Sequence, residues 1–496
     1  MATDYIDERK KKLEKIKELG INPYPQVKLT NKSKISQIIS DYSKIKKEEV
    51  SKKNETIAGR LMSLRNLGKI AFGVIQDEFG KIQVVFQKDN LKDYSVIKLF
   101  DVGDFLMIKG NPMRTQKGEL SLKVSKFQLL SKSIRALPEK FHGLKDEETI
   151  LRMRELDAIT NHELLDKFRK KSLIVKTIRE FFDNNDFLEV QTPVLQTVYG
   201  GASAEPFKTH HNSLDIDLFL RIAPELHLKR MIVAGFERVY ELGNKYRNEG
   251  MDKSHLQEIL DLEFYWAYQD YEGLMKFTEK LFTYILKKVN GSLKVKYQEQ
   301  IFDFTTPYPR ITFRELVKKH TKIDIDKFDT FEKLKKEIID RKIPDVDVKE
   351  CKHYGALLDE LYKKTARQKV IQPTFMTDYP VEMIPLAKRK ENEPSKISSF
   401  QLLFNTWEVV KAYNELNNPI DQKERFIEQQ KLLELGDKEA HPLNEEYIES
   451  MEYGMPPIAG WGLGLARLCM FLMDEPNIRS SVFFPLMKPR NKDEEE

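Results

Sequence analysis

Between Thr56 and about Leu130 the chain breaks into five short runs rich in β-branched and aromatic residues: TIAGRLMSLR, AFGVIQD, KIQVVFQ, FLMIKG and LSLKVSKFQLL. Gly68-Lys69, Phe79-Gly80, Gly103-Asp104 and Lys117-Gly118 separate them. Runs this short, bounded by turn residues, bury an apolar face by pairing with one another, and five in succession predict a small β-barrel. On its N-terminal side, residues 4–19 read as an amphipathic helix with Leu13, Ile16 and Leu19 on one side, stopped by Gly20 and Asn22-Pro23-Tyr24-Pro25. On the other side a helical connector is expected from near Pro138.

From about residue 165 the pattern changes. The helical LIVKTIREFFDNN leads to FLEVQTPVL, then to a glycine-containing loop, the strand-like LDIDLFLRIA, a helix and the hairpin-like FERVYELGNKYRNEG. Residues 311–369 read as a charged helical insertion, after which strand-like FMTDYPVEMI and NTWEVVKAYNEL return. Strands divided by helical stretches predict an α+β unit built on a large antiparallel sheet. The division expected is a basic helical extension at 1–53, a barrel at 54–135, a linker at 136–165 and an α+β domain at 166–490.

Charge and composition narrow the classes. Hydrophobic residues are 40% and charged residues 32% of the 496, which describes a globular chain. The net charge of +5 is concentrated: residues 1–53 carry 14 Lys and Arg against 8 Asp and Glu. Such a helix either contacts phosphate or is solvated, and charge alone does not choose. Two distant cysteines, Cys351 and Cys469, exclude a disulfide framework and a cysteine zinc site. With no secretory signal and no apolar run near the roughly 20 residues of a membrane helix, a cytoplasmic location away from membranes is expected.

Several motifs carry candidate chemistry. In the barrel, Arg60, Arg65, Phe72 and Gln83 mix cations, an aromatic and an amide, as single-stranded nucleic-acid binders do, although Phe72 taken alone reads as core. Arg247-Asn248-Glu249 offers a planar fork for phosphate and an acceptor for an amino group; in isolation it would be a surface pair. Glu408 and Glu415 are paired carboxylates of the kind that hold Mg²⁺ beside a nucleotide, but on a regular strand a spacing of seven opposes them. Gly460, Gly462 and Gly464 alternate with larger residues ahead of Arg467, which permits close approach of a nucleotide or of other backbone.

In chain order, FLEVQTPVL with its preceding helix, FERVYELGNKYRNEG and GLGLARL resemble the three signature motifs of class II aminoacyl-tRNA synthetases. The sequence is most similar to the lysyl-tRNA synthetases. INPYP, AGRLMSLRNLGKIAF, LRIAPELHLKRMIVAGFERVYEL, EFYWAYQDY, NELNNPIDQKERF and EYGMPPIAGWGLGLARL carry that likeness over nearly the whole chain. The resemblance implies an OB-fold anticodon-binding barrel followed by a class II catalytic domain on a mixed, mainly antiparallel sheet, in a homodimer. It implies activation of L-lysine with ATP to lysyl-adenylate, with Mg²⁺, and transfer to the 3′ end of tRNA(Lys). Carried over position by position, Arg247 would hold the ATP α-phosphate, Glu249 the adenine, His255 the β- and γ-phosphates and Arg467 the γ-phosphate. Glu408 and Glu415 would bind Mg²⁺. Gly201 and Glu225 would receive the lysine α-amino group, and Glu263 and Tyr265 its ε-ammonium. Phe72, Gln83 and Glu119 would read the anticodon.

Four positions depart from the family's pattern. Ile259 stands where an aromatic is expected against adenine, Ala466 where an acid precedes the last arginine, Glu205 where an arginine is usual, and Asn418 at the end of Glu-Leu-Asn-Asp. The alternatives are an aspartyl- or asparaginyl-type synthetase, a protein-lysylating paralogue, and a catalytically impaired RNA-binding protein. The barrel argues against the second. Glu263 and Tyr265 argue against the first, because an anionic substrate calls for a cation there.

Overall fold

A computed structural model describes residues 2–137, 146–253, 255–437 and 440–489, with side chains from Tyr5 onward. Pro138, expected to open the connector, and the acidic end 493–496 lie outside the described residues. The chain divides into two compact units, Met1–Leu165 and Asp166–Glu496.

The first unit holds the five expected strands: β1 (Glu55–Asn66), β2 (Ile70–Asp77), β3 (Gly80–Gln87), β4 (Phe105–Arg114) and β5 (Leu120–Ser131). They close in the order β1-β2-β3-β5-β4, with β4 returning to β1 and β3 running parallel to β5. Alternation decides what fills the barrel. Ile57, Leu61, Ile75, Ile82, Val84, Phe86, Leu106, Ile108 and Leu122 point inward and are almost completely buried.

Two N-terminal helices, α1 (Ala2–Glu18) and α2 (Ile35–Asp41), add Ile16, Ile35 and Ile38 to the same core. Leu19, expected beside Ile16, is exposed instead. Two cations of α1 are committed to the fold. Arg9 donates to the carbonyls of Val102 and Arg135, and Lys12 pairs with Asp101 at 2.6 Å. Short helices α3 (Glu147–Arg152) and α4 (Arg154–Thr160) follow.

Helix α5 (Glu163–Asp183) leads into β6 (Leu188–Glu189), and a three-stranded sheet follows from β7 (Leu195–Gln196), β8 (Lys208–His211) and β9 (Ile216–Leu220). Helix α6 (Glu225–Val233) precedes β10 (Arg238–Tyr246) and β11 (Glu258–Ala267), which pair antiparallel across an eleven-residue loop, 247–257. After α7 (Tyr271–Val289), strands β12 (Lys294–Tyr297) and β13 (Gln300–Asp303) form a hairpin.

Strand β14 (Arg310–Thr312) and helices α8 (Phe313–Thr321), α9 (Phe331–Asp340) and α10 (Tyr354–Leu361) occupy the segment read as an insertion. Then come β15 (Thr374–Thr377), β16 (Ser399–Phe404), β17 (Trp407–Asn414), α11 (Pro419–Glu434), α12 (Glu445–Glu452), β18 (Ile458–Leu463) and α13 (Leu465–Leu472). The main sheet runs β14-β15-β16-β17-β18-β11-β10-β6. Its two edge pairs, β14–β15 and β10–β6, are parallel and the five pairs between them antiparallel.

One face of this sheet is closed by an apolar core. Phe264, Leu262, Val410, Ala412, Trp461 and Leu463 pack there with Phe277 and Phe282 of α7 and Leu468 and Phe471 of α13. The Trp461 indole donates to Thr278 at 2.9 Å. Because side chains alternate, the residues between these face the other way, into the cavity described next.

Candidate active site

Strand β18 builds the floor of a cavity of about 740 Å³. Ala459, Trp461 and Leu463 face the core, and Gly460, Gly462 and, just past the strand, Gly464 line the cavity. A side chain at Gly460 would meet the Glu415 carboxylate at 2.1 Å and the Tyr265 ring at 2.5 Å. Across each glycine the ladders set one residue of β17 against one of β11. Tyr413 and Tyr265 flank Gly460, and Lys411 and Glu263 flank Gly462. The β11–β18 ladder, continued one residue beyond the Leu262–Leu463 pair, brings Asp261 alongside Gly464. On the other side, the Gly464 N–H donates to the Val409 carbonyl at 3.1 Å.

All eleven positions singled out in the catalytic unit line this cavity: Gly201, Glu225, Arg247, Glu249, His255, Ile259, Glu263, Tyr265, Glu408, Glu415 and, on α13, Arg467. Parity on a regular strand would have opposed Glu408 and Glu415. The register slips at that point: Leu402 pairs with Val410 but Leu403 with Glu408, so Val409 is an extra residue. This β-bulge turns Glu408 onto the face shared by Lys411 and Glu415.

Three residues that sequence reasoning missed organise one end. Lys229, fully buried on α6, pairs with Glu225 at 2.5 Å and with Glu415. Burial alone would depress its ammonium; the two carboxylates reverse that and raise it. Tyr413 donates to Glu225 at 2.9 Å. Gly201, at φ +85°, lies so close that a side chain there would meet the Glu225 Cβ at 2.7 Å. The third is Asp261, two residues before Glu263 and paired with Lys245. The Glu225–Lys229 spacing of four on a helix was a readable signal; that both would be buried was not.

Glu263 is buried, and burial pushes its carboxyl up to about 8. Lys245 opposes that rise, while Asp261 and Glu225 add to it. Burial likewise raises the Tyr265 and Tyr413 hydroxyls, so both stay protonated donors.

The other end is cationic and apolar. The Arg467 guanidinium donates to the Glu408 carbonyl at 2.9 Å, and Arg247 Nε is buried with no hydrogen-bond acceptor among the described residues. His255, in the 247–257 loop, is held by Asp252 at 2.8 Å. Ile259 packs with Leu256, Ala466, Met470 and Ile478, so two of the departures from the family pattern form one apolar wall. A third, Asn418, caps α11 by accepting from Ile420 N–H at 3.1 Å.

Glu408 and Glu415, the two carboxylates expected at Mg²⁺, both line the cavity. Glu415 pairs with Lys229 through Oε2, and its Oε1 is buried with no hydrogen-bond partner among the described residues. Glu408 keeps one oxygen on the amide of Gln401 and lines the cavity. Among the described residues no group of three or more His, Cys, Asp and Glu forms a metal cluster.

On the barrel, Phe72 is half-buried and outside the core, which separates it from the core reading. Phe72 pairs with Val85 and Gln83 with Val74, so the two are diagonal neighbours on the outer face. Gln83 donates to Ser121 at 3.0 Å, and exposed Glu119 precedes Ser121 by two residues. Arg60 is occupied: it lies over the Phe105 ring and donates to the Gly103 carbonyl.

Comparison with known proteins agrees in order and extent. Residues 146–488 match the family described as tRNA synthetases class II (D, K and N), and 55–130 match the OB-fold nucleic acid binding domain. The chain is 46% identical over 485 residues to a lysine–tRNA ligase of Thermoanaerobacter pseudethanolicus, covering 97% of this chain and 96% of the relative. It is 44% identical to the lysine–tRNA ligase of Clostridium acetobutylicum, over 98% and 94% of the two chains. It is 42% identical to that of Fervidobacterium nodosum, over 99% and 95%.

Proposed function

This chain belongs to the class II tRNA synthetases of the D, K and N group, and we propose that it is itself a lysine–tRNA ligase. The observation that carries the assignment is the division of one cavity into two chemically distinct ends. Glu225, Glu263 and Tyr265 supply acceptors for ammonium groups, while Arg247 and Arg467 supply cations for phosphate. The free Nε of Arg247 supports a phosphate there, because a buried guanidinium N–H without an acceptor is costly unless a ligand satisfies it.

The lysine carboxylate is already ionised, so its attack on the ATP α-phosphorus requires no general base. Arg247 holds the α-phosphate in line, Arg467 neutralises the leaving pyrophosphate, and Glu249 and His255 fix the adenine and the outer phosphates. Glu225 and Gly201 seat the α-amino group, with Lys229 holding the Glu225 carboxylate in place. Glu263, with Tyr265, receives the ε-ammonium; a neutral side chain would leave that buried carboxylate unpaired, which gives discrimination. An aspartate substrate would meet Glu225, Asp261 and Glu263 with like charge.

The 3′-terminal ribose of tRNA(Lys) then attacks the acyl carbon and AMP leaves. Phe72 stacks on a base and Gln83 and Glu119 read edges on the outer face of the barrel. The segment after α5 leaves Leu188, Val194 and Leu195 exposed, which supports a homodimer face. No helix among the described residues is long and apolar enough to cross a membrane. Charging of tRNA(Lys) with radiolabelled lysine, giving an alkali-labile ester, tests the reading; a chain that binds the tRNA but forms no ester in the presence of lysine and ATP contradicts it.

A further inference from the structure

The first unit has a cavity of its own, of about 480 Å³, and every residue that lines it belongs to that unit. On the barrel side its wall is one row across three strands. Arg60 of β1 pairs with Gln76 of β2 on one side and with Phe105 of β4 on the other. Residues paired directly share a face of the sheet, and this face is the outer one. Leu61, Ile75 and Leu106, each next in sequence to a member of the row, lie in the barrel core. Ala158 and Ile159 of α4, with His162 and Leu165, close the other side.

Each end of the row has unused capacity. The Arg60 guanidinium lies 4.3 Å from the Phe105 ring centroid, and its Nη1 donates to the Gly103 carbonyl at 3.1 Å. Phe105 covers one face of that plane and leaves the other to the cavity, and among the described residues Nε and Nη2 donate to nothing. Burial lowers the guanidinium from its ordinary range, which a π face laid against it relieves. Gln76 is 8% exposed, and its Oε1 is buried with no partner. Its Nε2 holds the Ile159 carbonyl by a single long bond of 3.4 Å, so the amide can turn Oε1 to the cavity, where an orphaned acceptor calls for a donor. The acids at the rim choose between ligands. Asp77 accepts from the Ile35 and Phe79 N–H groups and pairs with Lys32, and Glu78 stands beside it. Two carboxylates disfavour a phosphate here and favour an uncharged planar group with an N–H to give.

We propose that Gln76, Arg60 and Phe105 form a pocket for one unstacked nucleobase, which lies on the open face of the Arg60 guanidinium and donates an N–H to Gln76 Oε1. Bases stack on guanidinium planes and are read along their edges in this way. The pocket is separate from the catalytic cavity and from the row that holds Phe72. Phe72 and Gln76 point outward from the same side of β2, four residues of about 3.3 Å apart. The base belongs either to an RNA strand lying along this face or to a free nucleoside, and the recognition chemistry is the same.

The test uses 2-aminopurine riboside, which carries an exocyclic amino group and loses fluorescence when it stacks. It is titrated into the full-length protein with the catalytic cavity saturated by a non-hydrolysable lysyl-adenylate analogue. Binding of a tRNA(Lys) transcript is followed in parallel by fluorescence anisotropy. Gln76→Leu keeps the bulk and removes the acceptor; Arg60→Lys keeps the charge and removes the plane. If the free base is the occupant, each weakens riboside binding tenfold or more, while Phe72→Ala leaves it within twofold. If the base belongs to the RNA, each weakens the transcript tenfold or more and the riboside does not bind. Should Arg60→Lys fail to fold, because the Gly103 carbonyl loses its donor, Gln76→Leu carries the same expectation alone. Transcript affinity and any riboside quenching both within twofold in Gln76→Leu overturn the proposal.

Discussion

Glu263 does its work from an unfavourable position. Burial pushes its carboxyl up to about 8, so in the empty site it is largely protonated at neutral pH. An ammonium is received well only by the ionised form. Lysine should therefore bind more tightly as pH rises from 6 to 8, the KM falling by up to about tenfold per unit well below the pKa and levelling off above it. In Glu263→Gln that slope should vanish and the lysine KM should be high throughout; a parallel slope in the variant would assign the titration to another group. Stability runs in the opposite sense. A carboxyl whose folded pKa lies above its unfolded value binds the proton more strongly when folded, so the empty protein loses stability as pH rises from about 4.5 to 8. The lower wall of the nucleotide end shows a different adjustment: Ile259 and Ala466, read separately as departures, pack in one cluster and account for each other.

At the scale of elements, α6 and the residue that follows β17 are held together by the buried Glu225–Lys229–Glu415 triad. Lys229→Met would leave two carboxylates sharing a buried site and should cost about 3–5 kcal/mol in denaturant-induced unfolding. Adding Glu415→Gln should recover part of that loss, and no recovery would deny the coupling. Alternation made much of this legible. Glycines at every second position of β18, and β-branched and aromatic residues through β17, follow from which side of a strand is packed. What could not be read is what tertiary structure alone decides. A bulge at Val409 changes which face Glu408 joins, and nothing local in TWEVVKAYNEL announces it. Asp261 was invisible because a single acid in a strand carries no motif. The pairing of Glu415 with Lys229 was equally hidden, because the two lie nearly two hundred residues apart. On the barrel the outward placement of Phe72 and Gln83 follows from the same alternation that buries Ala71, Ile75, Ile82 and Val84. Phe72→Ala should raise the tRNA KM, since base stacking is worth roughly 1–3 kcal/mol, and leave pyrophosphate exchange unchanged; equal loss of both activities would return Phe72 to the core.

For the molecule as a whole, two separately built units serve two recognition problems. The barrel unit offers an outer face with an aromatic and an amide, while the larger unit encloses the chemistry on a glycine floor. The central claim is that the enclosed cavity selects lysine by its two ammonium groups and activates it with ATP. ATP–pyrophosphate exchange, run on the full-length chain with lysine, aspartate and asparagine in turn and without tRNA, tests this most directly. The account predicts exchange with lysine, exchange at least about a hundredfold weaker with the other two, in line with a site whose buried charge only lysine satisfies, and loss of the lysine signal in Arg247→Ala. Exchange driven by aspartate or asparagine, or no exchange with any amino acid, would contradict it.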